Sequence, residues 1–134
     1  MSIHANDCTD YGEPVNGFLV DKAEARPPGG YDAELVDCIA IYYTQATQLE
    51  RRYGITRDMA DYHVFRAISV TTPGAIIEIG FMRGDQELIT ARADLVARGI
   101  VDGILCYLEW GGPPLPTVTP STFATDTPTP DPGT

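Results

Sequence analysis

Apolar positions fall along this chain in two rhythms, and the two predict different elements. Short runs bounded by turn residues read as strands, and recurrences every three or four residues read as helices. Ser2-Ile3-His4-Ala5 looks like the end of a strand, closed by the turn-forming Asn6-Asp7. Gly17 to Val20 is a second short strand, followed by a loop that ends in Arg26-Pro27-Pro28-Gly29-Gly30. A helix should open near Tyr31-Asp32 and run to Tyr53, with Leu35, Ile39, Tyr42, Ala46, Leu49 and Tyr53 on one face. Asp32 suits its start, Arg51 and Arg52 its last turn, and Gly54 its stop. The aromatic residues of that stripe are expected in the core.

Residues 55–62 read as a polar connection, and Tyr62 to Arg66 as a short strand or extended segment. Ala75 to Ile79 is a five-residue apolar run, opened by Pro73-Gly74 and closed by Gly80. It predicts a buried strand. Asp85 should start a short helical turn through Ile89. A final helix is predicted from Arg92 to Trp110, with Gly99 and Gly103 permitting close packing on the sheet. Beyond Gly111-Gly112-Pro113-Pro114 the chain turns rich in Pro and Thr. The domain plan is therefore a folded unit at 1–110 and a disordered tail or linker at 111–134.

Composition narrows the function classes. The chain has 134 residues and a net charge of −10. An acidic balance argues against nucleic acid and anionic membrane surfaces as partners. No apolar run is long enough to span a bilayer, and Met1 to Asn6 lacks the basic-then-apolar pattern of an export signal. Cys8, Cys38 and Cys106 are odd in number and lack CxxC spacing. Neither a disulfide framework nor a cysteine zinc site is expected, and Cys38 and Cys106 read as small buried hydrophobes.

The candidate chemistry centres on Glu78, the one carboxylate inside the apolar run. An ionised Glu is costly to bury without a partner. Either its carboxylate reaches solvent or a neighbouring loop, or it sits at the mouth of a site, near the carboxyl end of its strand. His4 occupies a similar strand-end position, where a structural role and a ligand role are both open. His63 reads more simply as a structural histidine. A pair of acids, Glu78 with Asp85, could also divide acid and base roles.

Two segments resemble one family. Ser2-Ile3-His4-Ala5-Asn6 is similar to the Ser-Ile-His-Ala-Asn signature of zinc-dependent N-acetylmuramoyl-L-alanine amidases. Pro73-Gly74-Ala75-Ile76-Ile77-Glu78-Ile79-Gly80-Phe81 resembles that family's later Glu-x-Gly-Phe segment, in the right order. The resemblance covers residues 2 to 109. It implies an α/β, three-layer zinc-exopeptidase-like fold, here N-terminally truncated to a few-stranded sheet flanked by two long helices. It makes His4 a zinc ligand, Glu78 the catalytic acid–base, and Arg66 a substrate-side residue. The implied reaction is peptidoglycan hydrolysis at the amide between N-acetylmuramic acid and L-alanine, in the cell envelope or outside the cell.

The sequence also departs from that family. Met82-Arg83-Gly84 stands where the family has Asn after Gly-Phe, and the family's other two zinc ligands have no counterpart. The chain therefore reads as the C-terminal portion of an amidase catalytic domain, with an incomplete zinc site and no activity expected of it alone. The alternative is a non-catalytic amidase-like fragment that binds the cell wall or a partner.

Overall fold

The computed structural model describes residues 1–24, 26, 31–54, 59 and 61–109. The predicted tail at 111–134 lies outside the described residues, as does most of the 55–62 connection. The elements in order are β1 (Ser2–Asn6), β2 (Leu19–Asp21), α1 (Tyr31–Thr47), α2 (His63–Ala67), β3 (Ile76–Phe81), α3 (Gln86–Ala91) and α4 (Ala93–Glu109). The strands form one sheet in the order β1-β3-β2. β1 runs parallel to β3, with Ser2 opposite Ile76, Ile3 opposite Ile77 and His4 opposite Glu78. β2 runs antiparallel on the other side, with Leu19 opposite Glu78 and Val20 opposite Ile77. β3 is the central strand, which is why its run is apolar on both faces.

Side chains alternate across a strand, and here the alternation divides the core in two. Val20, Ala75 and Ile77 pack with Leu35, Ile39, Ala40 and Tyr43 of α1 and Val96 and Ile100 of α4, and Ile79 joins their edge. Leu19 and Ile76 point the other way, to Phe65 of α2, Met59 and Ala23. The result is three layers: α1 with α4, the sheet, and α2. Among the described residues no helix is long and apolar enough to cross a membrane.

Three expectations need correction and one, the third below, needs extension. First, α1 ends at Thr47, not Tyr53. Gln48 takes a positive φ of 63°, which leaves the helix. The chain is then captured by Phe18, whose N–H donates to the Glu50 carbonyl and whose carbonyl accepts from Arg52. Arg51 and Arg52 are therefore not helix-end cations; they donate to the carbonyls of Val20 and Asn16. The buried face is also rotated. Tyr43 is fully buried, whereas Tyr42 and Tyr53 are exposed.

Second, Tyr62 to Arg66 is not extended. His63–Ala67 is a single-turn helix that presses Phe65 under the sheet.

Third, Asp32 stands in the first turn of α1 as expected, but its carboxylate also has long-range partners that the sequence did not show. It is buried, pairs with Arg26 at 2.6 Å, and accepts the Gly74 N–H at 2.7 Å. Arg26 in turn donates to the carbonyls of Ser69, Val70 and Thr72. This pair pins the loop that delivers the chain into β3.

Fourth, Cys38 and Cys106 form a disulfide, with Cα atoms 5.8 Å apart and a sequence separation of 68. The two glycines of α4 explain the approach. A Cβ on Gly99 would lie 2.8 Å from Tyr43 Cα, and one on Gly103 would lie 2.7 Å from Ile39 Cα. The helices therefore touch backbone to backbone, close enough for the sulfurs to meet.

Two stability measurements follow. Gly103→Val should push α4 off α1 and cost about 1–3 kcal/mol in urea unfolding. Arg26→Ala should cost about 3–5 kcal/mol, because it leaves the Asp32 carboxylate buried and unpaired. A loss below about 1 kcal/mol for the second would show that the ion pair is open to water in solution.

Candidate functional site

Strand register alone brings His4 and Glu78 together. They are opposite one another on adjacent parallel strands, so their side chains leave the sheet on the same face, the one that faces α2. Glu78 is 9% exposed, and its Oε2 has no hydrogen-bond partner. Burial pushes its carboxyl above the ordinary range, and the nearby His4 opposes that rise only in part. The His4 ring is held from two sides. Its Nε2 lies 2.8 Å from the Ser2 hydroxyl, and the Tyr62 ring meets it edge-on at 4.8 Å between centroids.

The carboxyl end of β3 is fixed by two buried groups. The Tyr43 hydroxyl donates to the Ile79 carbonyl at 2.6 Å from the helical side. That phenol is buried and its pKa is pushed upward, so it stays a donor. Asp85 accepts from the N–H groups of Phe81 at 2.9 Å and Gly17 at 3.1 Å, and from Asn16 Nδ2 at 3.1 Å. Gly80 leaves room for it, since a Cβ there would sit 2.9 Å from Asp85 Cβ. Asp85 is thus a structural anchor with both oxygens engaged, which removes the physical basis for pairing it with Glu78 as a second catalytic acid.

The remaining sequence candidates fall around this pair unevenly. His63 is exposed and stacks at 4.4 Å on the far side of Tyr62. Arg66, also on α2, is exposed and bonds to Asp61 at 2.5 Å. Its guanidinium is directed to Asp61 rather than to the pair. In the Met82-Arg83-Gly84 turn, Arg83 pairs with Asp10 at 2.6 Å and holds that carboxyl below its usual range. Ser2 and Tyr62 were not singled out by sequence reasoning. Ser2 could have been found, because residues two apart on a strand share a face; Tyr62 could not, since its approach depends on the fold of α2.

The pair offers a buried, unpartnered carboxylate oxygen and one imidazole. These are a base and one metal donor. A catalytic zinc site needs about three protein ligands. Among the described residues no three of His, Cys, Asp and Glu come together as a metal-binding group. These residues by themselves do not fit zinc.

The lone carboxylate has a pH signature. Its folded pKa is raised above 4.5, so the protonated form favours the fold. That contribution is complete below about pH 4.5 and is lost as pH climbs through the raised folded value. Glu78→Gln, which is always neutral, should therefore gain stability relative to the parent between acid and neutral pH, then hold a constant advantage. Urea unfolding of both proteins across pH 4–8 checks this. An advantage that shrinks toward neutral pH would mean that Glu78 is paired in solution.

No protein-family model matches the chain, and no curated protein matches it. Three solved structures do. It superposes on N-acetylmuramoyl-L-alanine amidase AmiC2 of Nostoc punctiforme with a TM-score of 0.61 and 24% identity, over 81% of this chain and 57% of that one. It matches the catalytic domain of CwlV, an N-acetylmuramoyl-L-alanine amidase from Bacillus (Paenibacillus) polymyxa var. colistinus, with a TM-score of 0.55 and 28% identity, over 80% and 55% of the two chains. For the N-acetylmuramoyl-L-alanine amidase from Clostridium difficile 630 the values are 0.60 and 24%, over 83% and 57%. The chain spans a little over half the length of each. The architecture that holds the His4–Glu78 pair is thus the mixed α/β fold of N-acetylmuramoyl-L-alanine amidase catalytic domains, matched over part of their length.

Proposed function

We propose that residues 1–110 are the C-terminal portion of a cell-wall amidase catalytic domain and that residues 111–134 are a tail or linker. The substrate is peptidoglycan, and the bond cleaved joins N-acetylmuramic acid to L-alanine. The observation that carries this reading is the His4–Glu78 pair. It consists of an imidazole and a buried, unpartnered carboxylate, on one face of a sheet shared with three amidases.

In this reading Glu78 is the general base and acid. A carboxyl whose pKa is raised by burial is better matched to proton transfer near neutral pH than an ordinary one. Its free Oε2 is the atom that takes a proton from water and returns it to the leaving amine of L-alanine. His4 is one donor to the zinc that the family resemblance implies, with its ring steadied by Ser2 and Tyr62. The other donors are not among the described residues. Arg66, on the layer that covers this face, is the substrate-side cation. It would exchange Asp61 for an anionic group of the stem peptide. The site of action is the cell envelope or its exterior.

A second reading is favoured by the same shortfall of donors: an amidase-like fragment that binds the wall without cutting it. One experiment separates the two. Purified peptidoglycan is incubated with zinc and the longest polypeptide that carries these residues, and newly released alanine amines are labelled and counted. The amidase reading expects amine release, reduced about 10²–10⁴-fold by Glu78→Gln. Co-sedimentation with the wall without any amine release, equal for the parent and Glu78→Gln, would establish the binding reading instead.

A further inference from the structure

The Cys38–Cys106 bond lies outside the His4–Glu78 site, but the two are mechanically connected. Cys38 is on α1 and Cys106 on α4, and the bond closes a loop that contains α2, β3 and α3. Ile39, the next residue after Cys38, packs against Gly103, and Tyr43, just over a turn further on, packs against Gly99. The Tyr43 hydroxyl then reaches the Ile79 carbonyl, next to Glu78. The path from sulfur to carboxylate thus runs through one helix and one hydrogen bond. The bond is also accessible from one side only: Cys38 is 0% exposed, whereas Cys106 is half-buried.

We infer that Cys38–Cys106 is a redox lock, which makes the seating of α4 on α1, and through Tyr43 the order of β3 around Glu78, conditional on an oxidising compartment. Cross-linking ends this far apart in sequence removes much of the freedom of the unfolded chain. The helices it joins supply much of the larger core, so any loosening of α4 on α1 is felt across that core. Reduction needs a dithiol reductant. One of its thiolates attacks Cys106 Sγ, the S–S bond breaks, and Cys38 leaves as a thiolate and takes up a proton. The reductant's second thiol then releases Cys106 and closes its own disulfide. Two electrons and two protons pass to the pair. The leaving thiolate forms in an apolar interior that solvates it poorly, which slows the step. The lock therefore persists wherever disulfides persist and opens only under sustained reduction. Cys8 is exposed and free and takes no part.

The test uses the whole chain purified without reductant. Alkylation in denaturant should count one thiol, belonging to Cys8, and three after reduction. Dithiothreitol should lower Tm by about 10 °C or more, equally in the parent and in Cys8→Ser. It should have no effect on the Cys38→Ala, Cys106→Ala double variant. If that variant does not fold, the Cys8→Ser comparison carries the result alone. Below Tm, reduction should speed amide exchange of Ile77, Ile79 and Gly80 at least tenfold. Three thiols without reductant, or a Tm indifferent to dithiothreitol, would overturn the lock. A lowered Tm with unchanged exchange in β3 would overturn its link to the site. None of these readouts involves peptidoglycan, so the amidase reading stands or falls separately.

Discussion

A strand that carries apolar side chains on both faces and a carboxylate among them is stable only if both faces are covered and both edges are paired. β3 is such a strand, and the rest of the molecule can be read as the means of satisfying it. β1 and β2 pair its two edges. α1 and α4 cover Ile77 and Ile79, while α2 and Met59 cover Ile76. Buried polar groups fix its two ends: the Arg26–Asp32 pair where the chain enters, and Asp85 with the Tyr43 hydroxyl where it leaves. Each of those groups has found its partners, as burial requires.

Glu78, inside the strand itself, differs from them. The fold provides three hydrogen bonds to Asp85, seven residues further on, and none to Oε2 of Glu78. Among the described residues Glu34 Oε2 and Arg51 Nε are also buried without a partner, but of these three groups only Glu78 lies within the sheet, opposite His4. The contrast between these two acids says more than the burial of either one, because it shows that the chain can satisfy a buried carboxylate where satisfaction is the purpose.

Much of this was legible in the sequence, and the rest was hidden for identifiable reasons. The apolar run around Glu78, the strand that carries His4 and the two long helices could be read from periodicity and turn residues, because those signals are local; His4, however, lies in the middle of β1 and not at its end. The first helix was overextended because its apolar spacing continues smoothly to Tyr53. Its true end depends on Gln48 in a left-handed conformation and on Phe18 pairing with the chain at 50–52, a contact across more than thirty residues. The α2 segment alternates like a strand but is too short for alternation to decide. The disulfide was missed for a different reason. Cysteine count and spacing describe frameworks, whereas this bond exists because two glycines on another helix bring the backbones together. Those glycines were recognised as packing positions but assigned to the sheet, whereas they lie against α1.

The register of β1 on β3 also limits how this chain can vary. His4 and Glu78 share a face because each lies an even number of residues from the first pair in the ladder, Ser2 with Ile76. An insertion or deletion of one residue inside either strand would send one of the two side chains to the helical face, whatever its chemistry. Length changes in the loops before β2 or after α1 carry no such penalty. Between related chains, gaps should therefore accumulate in those loops. Within β1 and β3 they should be absent or come in twos, so parity, and not residue identity alone, is what descent has to preserve there.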